Sequence, residues 1–173
     1  MSITYDTPVK LADGRYFAKA SVDDGPVYVS VVNTQVGDLS DQNDLTLRVP
    51  DSTVIDTWDK TFVSDAVLNS SKWFNKEISE DVIRGYFQSS LDGEELDVQP
   101  NVDAKGRLNM TFFDQNKEVI KNVDPGTRCN VLLRFDGLWF LRKTFGPVWR
   151  LVQLRVKRVA EPVKYLIQDE DSA

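Results

Sequence analysis

Two hydrophobic periods alternate along the chain and divide it into three parts. In the first part the period is two, that of a strand. Tyr16, Ala18, Ala20 and Val22 alternate with Phe17, Lys19 and Ser21, and Val27–Val32 is β-branched and aromatic. Asp23-Asp-Gly-Pro26 between them is a turn signal, so the two runs read as a hairpin. Beyond a polar stretch, Leu45–Val49 alternates again and stops at Pro50. The period then lengthens. Val54, Trp58, Phe62 and Ala66 recur every four residues behind the cap cluster Asp51-Ser-Thr, which predicts an amphipathic helix. Ser79-Glu-Asp-Val82 approximates a capping box and starts a second helix, with Val82, Ile83, Tyr86 and Phe87 as its apolar face. After Asp92-Gly93 the period returns to two. Val98–Val102 is a short strand, and Leu108, Met110 and Phe112 alternate with Asn109, Thr111 and Phe113. Asn130–Phe135 and Leu138–Leu141 flank Asp136-Gly137, a preferred hairpin dipeptide. Val148–Val156 is the longest predicted strand. Strict alternation puts Val148, Arg150, Val152, Leu154 and Val156 on one face and Trp149, Leu151, Gln153 and Arg155 on the other.

The order strands, helices, strands predicts a mainly antiparallel β protein with an inserted helical segment, an α+β class. An OB-like five-stranded Greek-key barrel with a helix after its third strand gives this order, and so does a β-sandwich with inserted helices. The chain reads as one domain over residues 1–167, with the helical insertion at about 51–91 and a short acidic tail at 168–173.

Composition narrows the chemistry. Apolar residues make up 41% of the 173, enough for a real core. No run approaches the roughly 20 apolar residues that span a bilayer, and the first residues lack the basic and apolar regions of a signal peptide. An intracellular protein without a membrane partner is the expectation. There is no histidine, which removes histidine-based triads and histidine metal ligands. The single cysteine, Cys129, reads as a small buried hydrophobe. Asp38, Asp41 and Asp44 share a loop, but their spacing is not that of a calcium loop. The expectation is a binding protein with no catalytic residues, metal or cofactor.

Charge gives the sharpest clue. The chain carries −6 overall, yet residues 128–158 hold eight cations and one acid, Asp136. Such asymmetry suggests a basic working face on an acidic body. Within that segment Trp139, Phe140, Phe145 and Trp149 interleave with Arg142, Lys143 and Arg150. Single-strand binders need both ingredients, cations for the phosphates and flat rings for the bases. Trp139, Phe145 and Trp149 are therefore expected to stack bases, and Arg134, Arg142, Lys143, Arg150 and Arg155 to meet phosphates. Gln153 is placed with them. A hairpin would bring the two tryptophans onto one sheet face. The alternative for each ring is a place in the core, which is the expectation for Phe140. The partner class is single-stranded DNA, or RNA, bound with low sequence specificity.

Gly137-Leu-Trp-Phe140 and Phe145-Gly-Pro-Val-Trp-Arg-Leu-Val-Gln153 resemble the C-terminal signature of a family of small, uncharacterised proteins from large double-stranded DNA viruses of eukaryotes. Asn69–Phe74, Ser79–Val82 and Phe112–Asp114 extend the resemblance over the second two-thirds of the chain. It implies OB-like single-stranded DNA binding in viral DNA replication, recombination or repair, in the host nucleus or a cytoplasmic virus factory. The tail Gln168–Ala173 resembles the acidic tips through which single-stranded DNA-binding proteins recruit replication partners. It also reads as a solvated end. A rival reading is a structural or protein-interaction module of a virion or replication complex, its basic sheet against an acidic protein and its aromatics buried.

Overall fold

The computed structural model describes residues 2–40 and 44–157. Strands β1 (Thr4–Tyr5), β2 (Val9–Lys10), β3 (Tyr16–Ser21), β4 (Val27–Val36) and β5 (Leu45–Arg48) precede helices α1 (Thr53–Leu68), α2 (Ser70–Phe74) and α3 (Glu80–Tyr86). Strands β6 (Leu91–Asp92), β7 (Glu95–Pro100), β8 (Thr111–Phe113), β9 (Val119–Ile120), β10 (Arg128–Phe140) and β11 (Phe145–Val156) follow. The fold is mostly β with a helical insertion, as the changing period predicts. Asp41, Arg158 and the acidic tail lie outside the described residues.

Five strands form a circuit of ladders. Antiparallel pairing joins β10 to β4, β4 to β5 and β5 to β7. A parallel contact joins β7 to β11 at Arg150 and Leu151, and β11 returns antiparallel to β10. Val29, Val31, Leu45, Leu47, Leu96, Val98, Leu133 and Leu151 are buried, and they belong to one continuous core. Helix α1 adds Ile55, Phe62 and Ala66 to it. Phe62 stacks on Phe135 with ring centroids 4.3 Å apart, and Trp58 meets Trp149 edge-on at 6.1 Å. The α1 cap is supplied by Asp51, whose Oδ1 accepts from the Thr53 amide and hydroxyl, rather than by Ser52. Ser79 caps α3 as expected, accepting from the Val82 amide. Cys129 is buried, with its Sγ 3.2 Å from Thr34 Oγ1.

Three local expectations are corrected. First, Tyr16–Val22 and Val27–Val32 do not form a hairpin. They run one after the other along the same partner: β3 pairs with residues 137–140 of β10, and β4 with residues 128–135. The turn between them closes on itself through Val22 and Gly25, with Asp23 and Asp24 in the left-handed region. The helices consequently follow the second strand of the circuit, β5, not the third. Second, Asp136-Gly137 is not a turn. β10 runs through it, the register slips there, and the chain reverses at Leu141–Thr144. Third, β11 does not alternate strictly. A second register shift leaves Val152 without an opposing residue, and the faces exchange beyond it. Trp149, Leu151 and Leu154 are buried, while Gln153 and Arg155 are exposed.

Helix α1 also carries a titratable link. Asp59 Oδ2 accepts from the Ser89 hydroxyl at 2.6 Å, while its buried Oδ1 has no partner among the described residues. Burial pushes the Asp59 carboxyl up to about 6; the Ser89 bond opposes this and the Asp56 charge adds to it. A carboxyl of the unfolded chain titrates near 3.9. The folded protein therefore holds this proton more tightly than the unfolded one. Stability from this group falls as pH rises from about 4 to 6, and the full penalty persists above that. Asp59→Asn removes the charge and keeps an acceptor for Ser89. It should stabilise the fold by about 1–2 kcal/mol at pH 7.5, with the gain largely gone at pH 4. Thermal melts at the two pH values check this; equal melting temperatures at pH 7.5 would refute the penalty.

Candidate nucleic-acid interface

The face of the sheet turned away from the core is where the charge and the accessible rings meet. On β3 the small residues Ala18 and Ala20 point inward, so Phe17 and Lys19 project outward. Phe17 stands opposite Trp139, and Lys19 opposite Gly137. Trp139 itself is half-buried. The register slip at Asp136 turns the second half of β10 over, which places Trp139 on the outer face and Leu138 and Phe140 on the inner one.

Glycines hold both rings down. A Cβ on Gly137 would stand 2.9 Å from Phe17 Cζ, and one on Gly146 would stand 3.0 Å from Trp139 Cζ2 and Nε1. Each ring therefore reaches over backbone that carries no side chain. The Arg15 guanidinium sits 5.8 Å from the centre of the Trp139 ring, a cation–π contact, and is ion-paired with Asp13 at 2.8 Å.

Next along the face stands a clamped pair of arginines. Arg134 and Arg150 are directly opposite each other on β10 and β11, an arrangement of like charges that would be unfavourable alone. Asp136 holds both, accepting from Arg134 Nε at 2.6 Å and Arg150 Nε at 2.5 Å. Arg150 also donates Nη1 to the Pro100 carbonyl at 2.9 Å. The Asp136 hydrogen bond raises the Arg134 pKa still higher, so its charge is permanent. The trio is net positive, and its guanidinium groups are fixed before any ligand arrives. Tyr28, 51% exposed, is the β4 neighbour of Arg134.

Arg15, Phe17, Lys19, Trp139 and the Arg134–Asp136–Arg150 trio line a cleft of about 680 Å³ that also includes Asp6, Asp24 and Gln99. A shallower depression of about 520 Å³ continues it on β10 and β11, with Phe113, Lys117, Gln153 and Arg155 in its wall and no carboxylate. Together they form an open strip of rings and cations along the sheet. Such a strip suits an extended anion that carries flat groups. Among the described residues no group of three His, Cys, Asp or Glu side chains is arranged to hold a metal.

The structure divides the expected site residues. Arg134, Trp139, Arg150, Gln153 and Arg155 share the outer face. Arg142 and Lys143 are exposed at the tip between β10 and β11, and they line a different cleft beside α2. Phe145 and Trp149 are withdrawn from the base-stacking role: they are 0% and 1% exposed. Trp149 is wedged among Trp58, Phe62 and Phe135, and Phe145 among Phe74, Phe87 and Phe140. The two tryptophans lie on opposite faces. The face also includes Arg15, Phe17, Lys19, Tyr28, Phe113 and Lys117, which the sequence reading did not single out.

No curated protein shows significant sequence similarity to the chain. In backbone course it is similar to the C-terminally truncated single-stranded DNA-binding protein of bacteriophage Enc34, with TM-score 0.46 and 12% identity over 90% of this chain and 96% of that one. The same phage protein in complex with single-stranded DNA gives TM-score 0.43 and 9% identity over 91% and 97% of the two chains. The sequence itself matches a family profile over residues 30–169, and the chain belongs to that family, DUF5871, a family of unknown function.

Proposed function

We propose that the chain binds single-stranded DNA along the outer face of β3, β10 and β11. The observation that carries this reading is the juxtaposition of Phe17 and Trp139, opposite each other and each in close contact with a glycine, with the preset guanidinium pair on Asp136. Bases stack on the two rings, one of them by taking the place of Arg15 over Trp139. Phosphates run past Lys19, Arg134, Arg150 and Arg155. Stacking is indifferent to base identity, so specificity is low. In this reading the strand circuit is an OB-like barrel: its order β4–β5–β7–β11–β10, with β7 parallel to β11, supports that. The protein acts by binding and not by catalysis. The resemblance of Gly137–Phe140 and Phe145–Gln153 to the viral family supports a role for that activity in viral DNA replication, recombination or repair inside an infected cell.

Titration with oligo-dT, followed by tryptophan fluorescence, tests the proposal. Oligo-dT should quench Trp139, and a duplex of the same length should do so far less, because its bases are already stacked. Affinity should fall with salt. Three to five phosphate contacts give a log–log slope of roughly −2 to −3.5, at about −0.7 per contact. No response at low salt with micromolar protein would overturn the reading and favour an interaction module whose basic sheet meets an acidic protein.

A further inference from the structure

A second cleft lies back to back with the sheet face, and it is the larger of the two at about 970 Å³. It opens between α2 with its following loop, the N-terminal arm and the β10–β11 tip. Its charged lining residues are Lys72, Lys76, Arg142 and Lys143, with no carboxylate among them. All four are exposed, and among the described residues none of their side chains makes a hydrogen bond or ion pair. Four cations around one cavity of an acidic protein, with no carboxylate in its wall, make a positive potential there that attracts an anion. The floor is aromatic: Trp73 and Phe74 are half-buried, and Tyr16 is 46% exposed.

The two clefts share their dividing wall. Tyr16 faces the second cleft while Phe17 faces the first, and Phe140 and Trp139 divide in the same way. Arg142 and Lys143 stand at the end of that wall, in the reversal at Leu141–Thr144. A chain leaving the sheet face at Trp139 thus meets two cations at the rim before it reaches Trp73. An apolar helix would find no match for the charge, and a compact anion would leave the rings unused.

We propose that the single strand does not end at Trp139 but bends over the β10–β11 tip, so that its next nucleotides enter the second cleft, with Trp73 and Tyr16 as base platforms and Lys72, Lys76, Arg142 and Lys143 on the phosphates. This inference rests on the sheet-face reading and lengthens the path it sets.

Two oligo-dT lengths separate the two statements. One of about 6 nucleotides fills the sheet face alone, and one of about 20 also reaches the cleft. Wild-type protein should bind the longer oligonucleotide more tightly by well over the statistical factor. The double variant Lys72→Glu, Lys76→Glu alters exposed side chains without partners and should fold as wild type by circular dichroism. It should lose roughly tenfold or more for the long oligonucleotide, from reversed phosphate contacts, and far less for the short one. A Trp139→Phe variant, which keeps a ring on the sheet face, should report quenching of Trp73 by the long oligonucleotide only. Equal effects of the charge reversal on both lengths, or no Trp73 response, would overturn the extension while leaving the sheet-face reading intact. Quenching of Trp73 by polyglutamate but not by oligo-dT would overturn it in favour of an acidic peptide. Failure of wild-type protein to bind either length would overturn both.

Discussion

Trp149→Ala should leave a poorly folded protein, whereas Trp139→Ala, ten residues away, should leave a folded one that binds single-stranded DNA weakly. The two side chains are chemically identical and sit on adjacent strands, so the contrast isolates which face each occupies. Trp149 is 1% exposed and packed against three other rings. Truncating a buried aromatic costs about 3–5 kcal/mol, because the transfer energy is lost and a cavity remains. For a chain of this length that corresponds to a melting temperature lower by roughly 10 °C or more. Trp139 covers Gly146 and carries Arg15, so its loss should cost the fold only about 1 kcal/mol. Its loss from the interface should cost about 1–3 kcal/mol of binding, roughly 5- to 150-fold in affinity. Thermal melts and oligo-dT titrations of the two variants check both halves. A Trp139→Ala protein that melts normally and binds as wild type would remove the ring from the site.

The division of the chain into strands, helices and strands was legible because it depends only on local period. The apolar spacing of Val54, Trp58, Phe62 and Ala66 is a property of one segment, and α1 forms over it. Face assignment in β10 and β11 was not legible in the same way. Both strands contain an extra residue relative to their partner, Asp136 in one and Val152 in the other. An extra residue is defined only against the opposing strand, and each one exchanges the faces beyond it. Strict alternation correctly separated Arg150 from Trp149 but put Leu154 with Arg150 and left Arg155 with Trp149. The fate of Val27–Val32 was hidden for a related reason. The sequence shows two strands and a turn, but their joint partner lies about 100 residues later. One missed part of the site did leave a signal. Ala18 and Ala20 alternate with Phe17 and Lys19, and two small residues at core-facing positions imply that the larger ones look outward. What no pattern showed is that Phe17 stands across from Trp139, since that pairing is purely tertiary.

Gly137→Ala should damage fold and binding together, and it is the single methyl group expected to do the most harm. Gly137 has φ of 151°, and a Cβ there would sit 2.1 Å from the Ala18 carbonyl oxygen and 2.9 Å from Phe17 Cζ. The first contact is with backbone in the neighbouring strand, which cannot swing aside as a side chain can. The ladder between β3 and β10 must open to admit the methyl, and that ladder holds Lys19 opposite Gly137 and Phe17 opposite Trp139. Backbone strain of about 1–3 kcal/mol adds to an overpacking cost of similar size, for a total of about 3 kcal/mol or more. The binding loss follows from geometry rather than from a missing contact, because Phe17 and Trp139 no longer stand opposite each other across the ladder. Phe17→Ala separates the two effects. It vacates the space at 2.9 Å but leaves the clash with the Ala18 carbonyl. The double variant Phe17→Ala, Gly137→Ala should therefore melt as low as Gly137→Ala alone. A double variant that regains wild-type stability would show instead that the ring, and not the ladder, sets the demand for glycine at this position.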